Sequence, residues 1–168
     1  TCLQSLADLE NEAGPKHDRG VPAMSRALFI RDSLGETRDM TYVGLFSTLA
    51  DALDQQGNHR DALATYDSAM AVLDRTGRGE TMTRVIVQHD HAVTLLDLGE
   101  TAAAEKSLHD VLWRIARSDP SGPLPQQPLI HYAHAALFDW HVDSAARYFS
   151  LIANQAAQEK NDYWEGRG

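Results

Sequence analysis

A helix–turn–helix pattern that returns at a constant interval constrains this chain more than any other feature. Ahead of Gly57-Asn58 the apolar residues Phe46, Leu49 and Leu53 recur three and four apart. Beyond it Leu63, Tyr66, Met70 and Leu73 do the same. Such spacing puts each set on one helical face, and Gly-Asn accepts the left-handed backbone that closes a helix. Ala62 and Ala69 lie beside the second stripe, where small side chains let two helices approach closely. Moving on by 42 residues, Gly57 returns as Gly99, Ala62 as Ala104, Leu53 as Leu95 and Ala50 as Ala92. The linkers keep the interval, with Gly35 and Gly77, Met40 and Met82, Thr41 and Thr83, Val43 and Val85. A further 41 residues reach Ala133, Ala145, Phe149 and Ile152. One hairpin cannot bury its own apolar face, whereas stacked copies can. The chain is therefore expected to be an all-α repeat protein.

The pattern Gly57-x-His59-x-x-Ala62-x-x-x-Tyr66-x-x-Ala69 resembles the tetratricopeptide repeat (TPR). In that family a glycine, an aromatic, an alanine, a bulky aromatic and a second alanine occupy these offsets. The resemblance covers residues 20–158 and implies a right-handed superhelix of antiparallel helical hairpins, a TPR-like α-solenoid, of the long-repeat bacterial type. Against the family's common length of about 34 residues, the longer interval implies longer helices and inter-repeat loops.

Within a single domain over residues 1–168, residues 1–40 are expected to form a degenerate N-terminal hairpin. Repeats follow over 41–80, 81–125 and 126–160, with a tail over 161–168. The helices are expected at 2–13 and 22–33, then in pairs at 41–56 and 60–75, 81–98 and 100–117, and 126–139 and 142–158. Four prolines between Pro120 and Pro128 read as a long loop between repeats. The third repeat departs from the family at its turn, where Trp140 stands in place of glycine. A wider turn is expected there, with the indole packed across it. Tyr163 and Trp164 are expected to cover the end of the last hairpin or to mark where another repeat follows.

Charge narrows the function. With 15 Lys and Arg against 24 Asp and Glu, the net charge is −9 and no basic stripe exists to engage a nucleic-acid backbone. No apolar run reaches the length of a membrane span, and no signal peptide is recognisable. The lone Cys2 has no internal partner, which favours a reducing compartment, and a cytoplasmic location is expected. The start at Thr1 suits an excised domain or processed product. Phosphate-loop, Gly-x-Ser-x-Gly, His-Glu-x-x-His and Cys-x-x-Cys patterns are all missing, so the reading is not an enzyme and requires no cofactor.

The resemblance implies instead a protein- or peptide-binding scaffold, whose first helices line a concave groove. The family's groove positions fall on Gly44, Ser47, Thr48, Asp51, Asp54 and Gln55, then on Ile86, His89, Asp90, Val93, Leu96 and Asp97. In the third repeat they fall on Gln127, Ile130, His131, His134, Leu137 and Phe138. None is Lys or Arg, so the carboxylate clamp by which the family holds acidic peptide ends is lacking. A basic or amphipathic partner is favoured over an acidic one, with Asp51, Asp54, His89, Asp90, His131 and His134 as contacts. The setting implied is a larger bacterial signalling or regulatory protein.

Other readings compete with this one. His131 and His134 lie one helical turn apart, and with His89 and Asp90 they offer imidazole and carboxylate donors of a kind zinc accepts. That would suit a small-ligand or metal-responsive sensor, although groove histidines are ordinarily polar contacts and no metal is assigned. Exposed apolar surface could alternatively serve self-assembly into a homo-oligomer. His17, His59, His109 and His141 read as solvated surface, His91 as turned toward a neighbouring helix, and Asp51 and Asp54 as solvent-facing carboxylates rather than an acid–base pair.

Overall fold

The computed structural model describes residues 20–34, 39–120 and 122–164. Every regular element among them is an α-helix: α1 (Gly20–Ser33), α2 (Met40–Gln55), α3 (His59–Arg75), α4 (Met82–Asp97), α5 (Thr101–Ser118), α6 (Gln126–Phe138) and α7 (Val142–Trp164). The expected helix over residues 2–13, with Cys2 and His17, lies outside the described residues, as do the side chains of Tyr163 and Trp164. The chain forms two compact units, Thr1–Leu98 and Gly99–Gly168.

In the first unit α2 packs on α1 and α3, and α4 packs on α3 and touches α2. The apolar stripes converge as their periodicity requires. Phe46 and Leu49 of α2 are buried against Ala62, Tyr66, Ala69 and Leu73 of α3, with Met24 and Ala27 of α1 closing the other side. Leu53 and Met70 pack at the margin of this core. Each fully buried Leu or Val here contributes about 1.5–3 kcal/mol of transfer free energy. Ala50, Ala62 and Ala69 are completely enclosed, so no larger side chain fits where they sit. At the start of α2, the Thr41 N–H donates to the Asp39 carboxylate at 2.9 Å, satisfying a helix-end donor. Thr41's hydroxyl does likewise at 2.6 Å and is the main reason the Asp39 carboxyl is held below its usual range.

In the second unit α6 packs on both α5 and α7. Ala104, Leu108 and Val111 of α5, Leu129, Ala133 and Ala136 of α6, and Ala145 of α7 fill its interior. The proline-rich segment connects α5 to α6. Pro128 falls inside the first turn of α6, where its missing N–H leaves no bond unmade, and is buried there.

The helix turns use one geometry in both units. At the α2–α3 turn the Gly57 N–H donates to Asp54 O at 2.8 Å and the Asn58 N–H to Leu53 O at 2.9 Å. This paired closure needs a left-handed residue, and Gly57 takes φ +78°; Gly99 takes φ +76° at the α4–α5 turn. The third hairpin corrects the sequence expectation. Trp140 adopts φ +64° itself, its N–H donates to Leu137 O at 3.2 Å, and the His141 N–H reaches Ala136 O at 2.8 Å. The turn is not widened, and the indole is not packed across it but stands 86% exposed. The reason lies at the matching glycines, where an added Cβ would meet nothing within 4 Å. A side chain placed there projects into solvent. No helix among the described residues is long and apolar enough to cross a membrane.

Candidate functional site

The most unusual polar chemistry lies in the first unit, where α2, α3 and α4 meet. Asp51 and Asp54 lie one helical turn apart on α2, and Asp90 comes from α4. Asp51 is exposed, as expected, and Asp54 is half-buried, but neither carboxylate is without a partner. Asp51 accepts a hydrogen bond from the buried Tyr66 hydroxyl of α3, and Asp54 Oδ1 lies 2.8 Å from His59 Nδ1. Burial holds the Asp51 carboxyl above the usual carboxylate range; the Tyr66 bond opposes this, and the charges of Asp90 and Asp54 push it further up. Burial, reinforced by Asp51, raises the Tyr66 hydroxyl in turn. His89 Nδ1 lies 3.0 Å from Asp90 Oδ1. His91 turns toward α3, with its ring edge-on to Tyr66 at 6.4 Å and Nε2 3.6 Å from Asp67. Beside this cluster, Gly57, Asn58, His59, Arg60, Asp61 and Leu98 line a concavity of about 430 Å³.

The second unit holds the other two expected contacts. His131 is half-buried on α6, and His134 is exposed, its ring 5.7 Å from that of Phe149. Nearby, Glu105 of α5 accepts from the Tyr132 hydroxyl at 3.3 Å and lies 2.7 Å from His141 Nδ1. That hydrogen bond raises the His141 imidazole above its ordinary value. Burial, with help from Glu105, pushes the Tyr132 hydroxyl up to about 12. His109 and His141 are exposed as expected, but both have neighbours, since the His109 ring lies 6.2 Å from that of Tyr132. His59, expected on open surface, is half-buried through its bond to Asp54.

Among the described residues, two sets of one imidazole and two carboxylates bring their donor atoms within 4.8 Å: Asp54, His59 and Asp97, and Glu105, Asp139 and His141. Neither includes His89, His131 or His134. Each set already contains a short imidazole–carboxylate contact that holds a helix turn.

No protein-family model matches the chain, and no curated protein matches it. Solved structures do. Nearly identical TPR-like repeats assigned to a kinesin light chain of Podosopora anserina superpose with a TM-score of 0.78, at 18% identity over 94% of this chain and 74% of that one. A variant form of the same repeats gives a TM-score of 0.80 at the same identity and coverage. This chain has the TPR-like repeat fold.

In the TPR-like frame, α2, α4 and α6 are the first helices of their hairpins. Their expected groove positions are all exposed or half-buried, from Gly44 to Gln55, Ile86 to Asp97 and Gln127 to Phe138. The intervening positions Val43, Leu45, Ala50, Val85, Ala92, Leu129 and Ala133 form the buried faces. Tyr66 was legible only as a core aromatic. Its polar role depends on Asp51, fifteen residues away on another helix, and no local pattern announces that pairing.

Proposed function

We propose that this TPR-like chain is a non-catalytic scaffold holding a basic or amphipathic segment of another protein against the exposed face of its first helices. Asp51, Asp54, His89 and Asp90 are the contacts in the first unit, and His131 and His134 those in the second. The carrying observation is the convergence of Asp51, Asp54 and Asp90. Burial, with the neighbouring Asp90 and Asp54 charges, holds the Asp51 carboxyl above its usual range, and a cation supplied by a partner relieves that repulsion. The proposed setting is a larger regulatory or signalling protein in a bacterial cytoplasm, by analogy with other long repeats.

The test is affinity capture from source-cell lysate with wild type and the Asp51→Lys/Asp90→Lys variant, both checked for helical circular dichroism. The expected result is a protein identified on wild type and lost from the variant. Equal retention by both would overturn the acidic-groove reading.

A further inference from the structure

We propose that the α6–α7 turn is a second docking surface, distinct from the acidic positions of the first unit and adjoining the first-helix face of α6 at Leu137 and Phe138, for a peptide segment combining an apolar residue with lysine or arginine. Within six residues the chain exposes Leu137 at 47%, Phe138 at 67%, Trp140 at 86% and Val142 at 55%. Side chains this large, gathered at one helix turn, are unusual on a surface without a partner.

The backbone points the same way. The corresponding turns use Gly57 and Gly99, for which a positive φ is free of strain, whereas Trp140 adopts φ +64° with a bulky side chain. The position is open, so the indole gains no core packing to offset that strain. The strain thus presents a flat aromatic surface to solvent, which is the kind of outlier from which a role can be inferred.

Charge selects the occupant. Elsewhere this chain covers exposed indole with its own cation, as Arg117 lies over the half-exposed Trp113 ring at 4.6 Å. Trp140 has no such cover among the described residues. From Ser118 to Ala146 the sequence contains no Lys or Arg, while Asp139 and Asp143 flank the turn. His141, the one basic group there, is held by Glu105 at 2.7 Å. Indole is the best aromatic acceptor for a guanidinium or ammonium group. The two carboxylates supply the complementary charge, and Leu137, Phe138 and Val142 a seat for an apolar neighbour.

The test uses the full chain carrying Trp113→Phe and Trp164→Phe, so that emission reports Trp140 alone. The probe is a synthetic hexapeptide with two basic residues on each side of Leu-Phe, set against its acidic counterpart. The expected result is a saturable change in Trp140 emission with the basic peptide only. Fluorescence anisotropy of the labelled basic peptide, on the wild-type background, should show about tenfold weaker binding to Trp140→Gly. Asp139→Asn/Asp143→Asn should also weaken it. Glycine suits the turn's backbone, so loss of binding is not loss of fold, and a thermal melt of each variant checks this. Asp51→Lys/Asp90→Lys should leave this peptide's affinity unchanged, which separates the surface from the acidic one. Unchanged affinity in Trp140→Gly, or equal binding of the acidic peptide, would overturn the proposal. So would a wild-type dimer in sedimentation that Trp140→Gly dissolves, since a second copy would then be the occupant.

Discussion

Two residues, Trp140 and Asp51, sit where backbone conformation or environment opposes stability. A bulky residue in left-handed backbone costs roughly 1–2 kcal/mol relative to glycine, and Trp140 regains none of this through packing. Trp140→Gly should therefore stabilise the protein by about 1 kcal/mol, less glycine's greater unfolded-state entropy; urea denaturation measures this, and a fall in stability would refute the strain. Asp51 creates a pH-dependent tension. Its carboxyl titrates above the ordinary value of 3.8 in the folded state, so folded protein binds the proton more tightly than unfolded chain. Below that ordinary value both states are protonated and the residue has no differential effect; as pH rises through the raised pKa, ionised Asp51 lowers stability. Asp51→Asn keeps an acceptor for Tyr66 and removes the charge. It should raise the melting temperature at about pH 7 and leave it nearly unchanged at about pH 3. An equal rise at both would show the effect to be unrelated to ionisation.

At the scale of the element, close helix approach depends on alanine. Ala62 and Ala69 on α3 and Ala50 on α2 have no exposed surface. Ala69→Leu should overpack this contact and cost about 1–3 kcal/mol. Ala64→Leu on the exposed side of the same helix should change little, and chemical denaturation of the pair gives the comparison. Similar small effects in both would mean the core has slack that the enclosed alanines do not suggest. The helices themselves were legible because a 3.6-residue apolar rhythm ends at turn-forming residues, and observed ends fall within one or two residues of most expectations. The third turn departs from expectation because the repeat pattern points to glycine as the requirement. The physical requirement is a positive φ and open space, and a solvent-facing tryptophan satisfies both at a cost.

For the whole molecule the net charge of −9 makes folding work against self-repulsion. Raising ionic strength from about 0.01 M to about 0.15 M shortens the screening length to about 8 Å and should raise the melting temperature. A fall on adding salt would mean that attractive pairs such as Arg84–Asp74 and Arg114–Asp110 dominate instead. The same screening should weaken capture of a basic partner.

The amino-acid sequence by itself determined that this chain is helical, that its hairpins repeat, and which faces are buried. Those properties follow from local spacing, with Ala62, Tyr66, Ala69 and Leu73 reading as core and being core. It also determined the absence of Lys and Arg from the exposed first-helix positions where a groove is expected. Only the tertiary structure decided which polar groups meet: Asp51 with Tyr66, Asp54 with His59, Glu105 with Tyr132 and His141. Only it showed that the Trp140 ring faces solvent. Helical periodicity specifies the face a side chain occupies, whereas a hydrogen bond or an exposed ring depends on the distance between elements that packing alone sets.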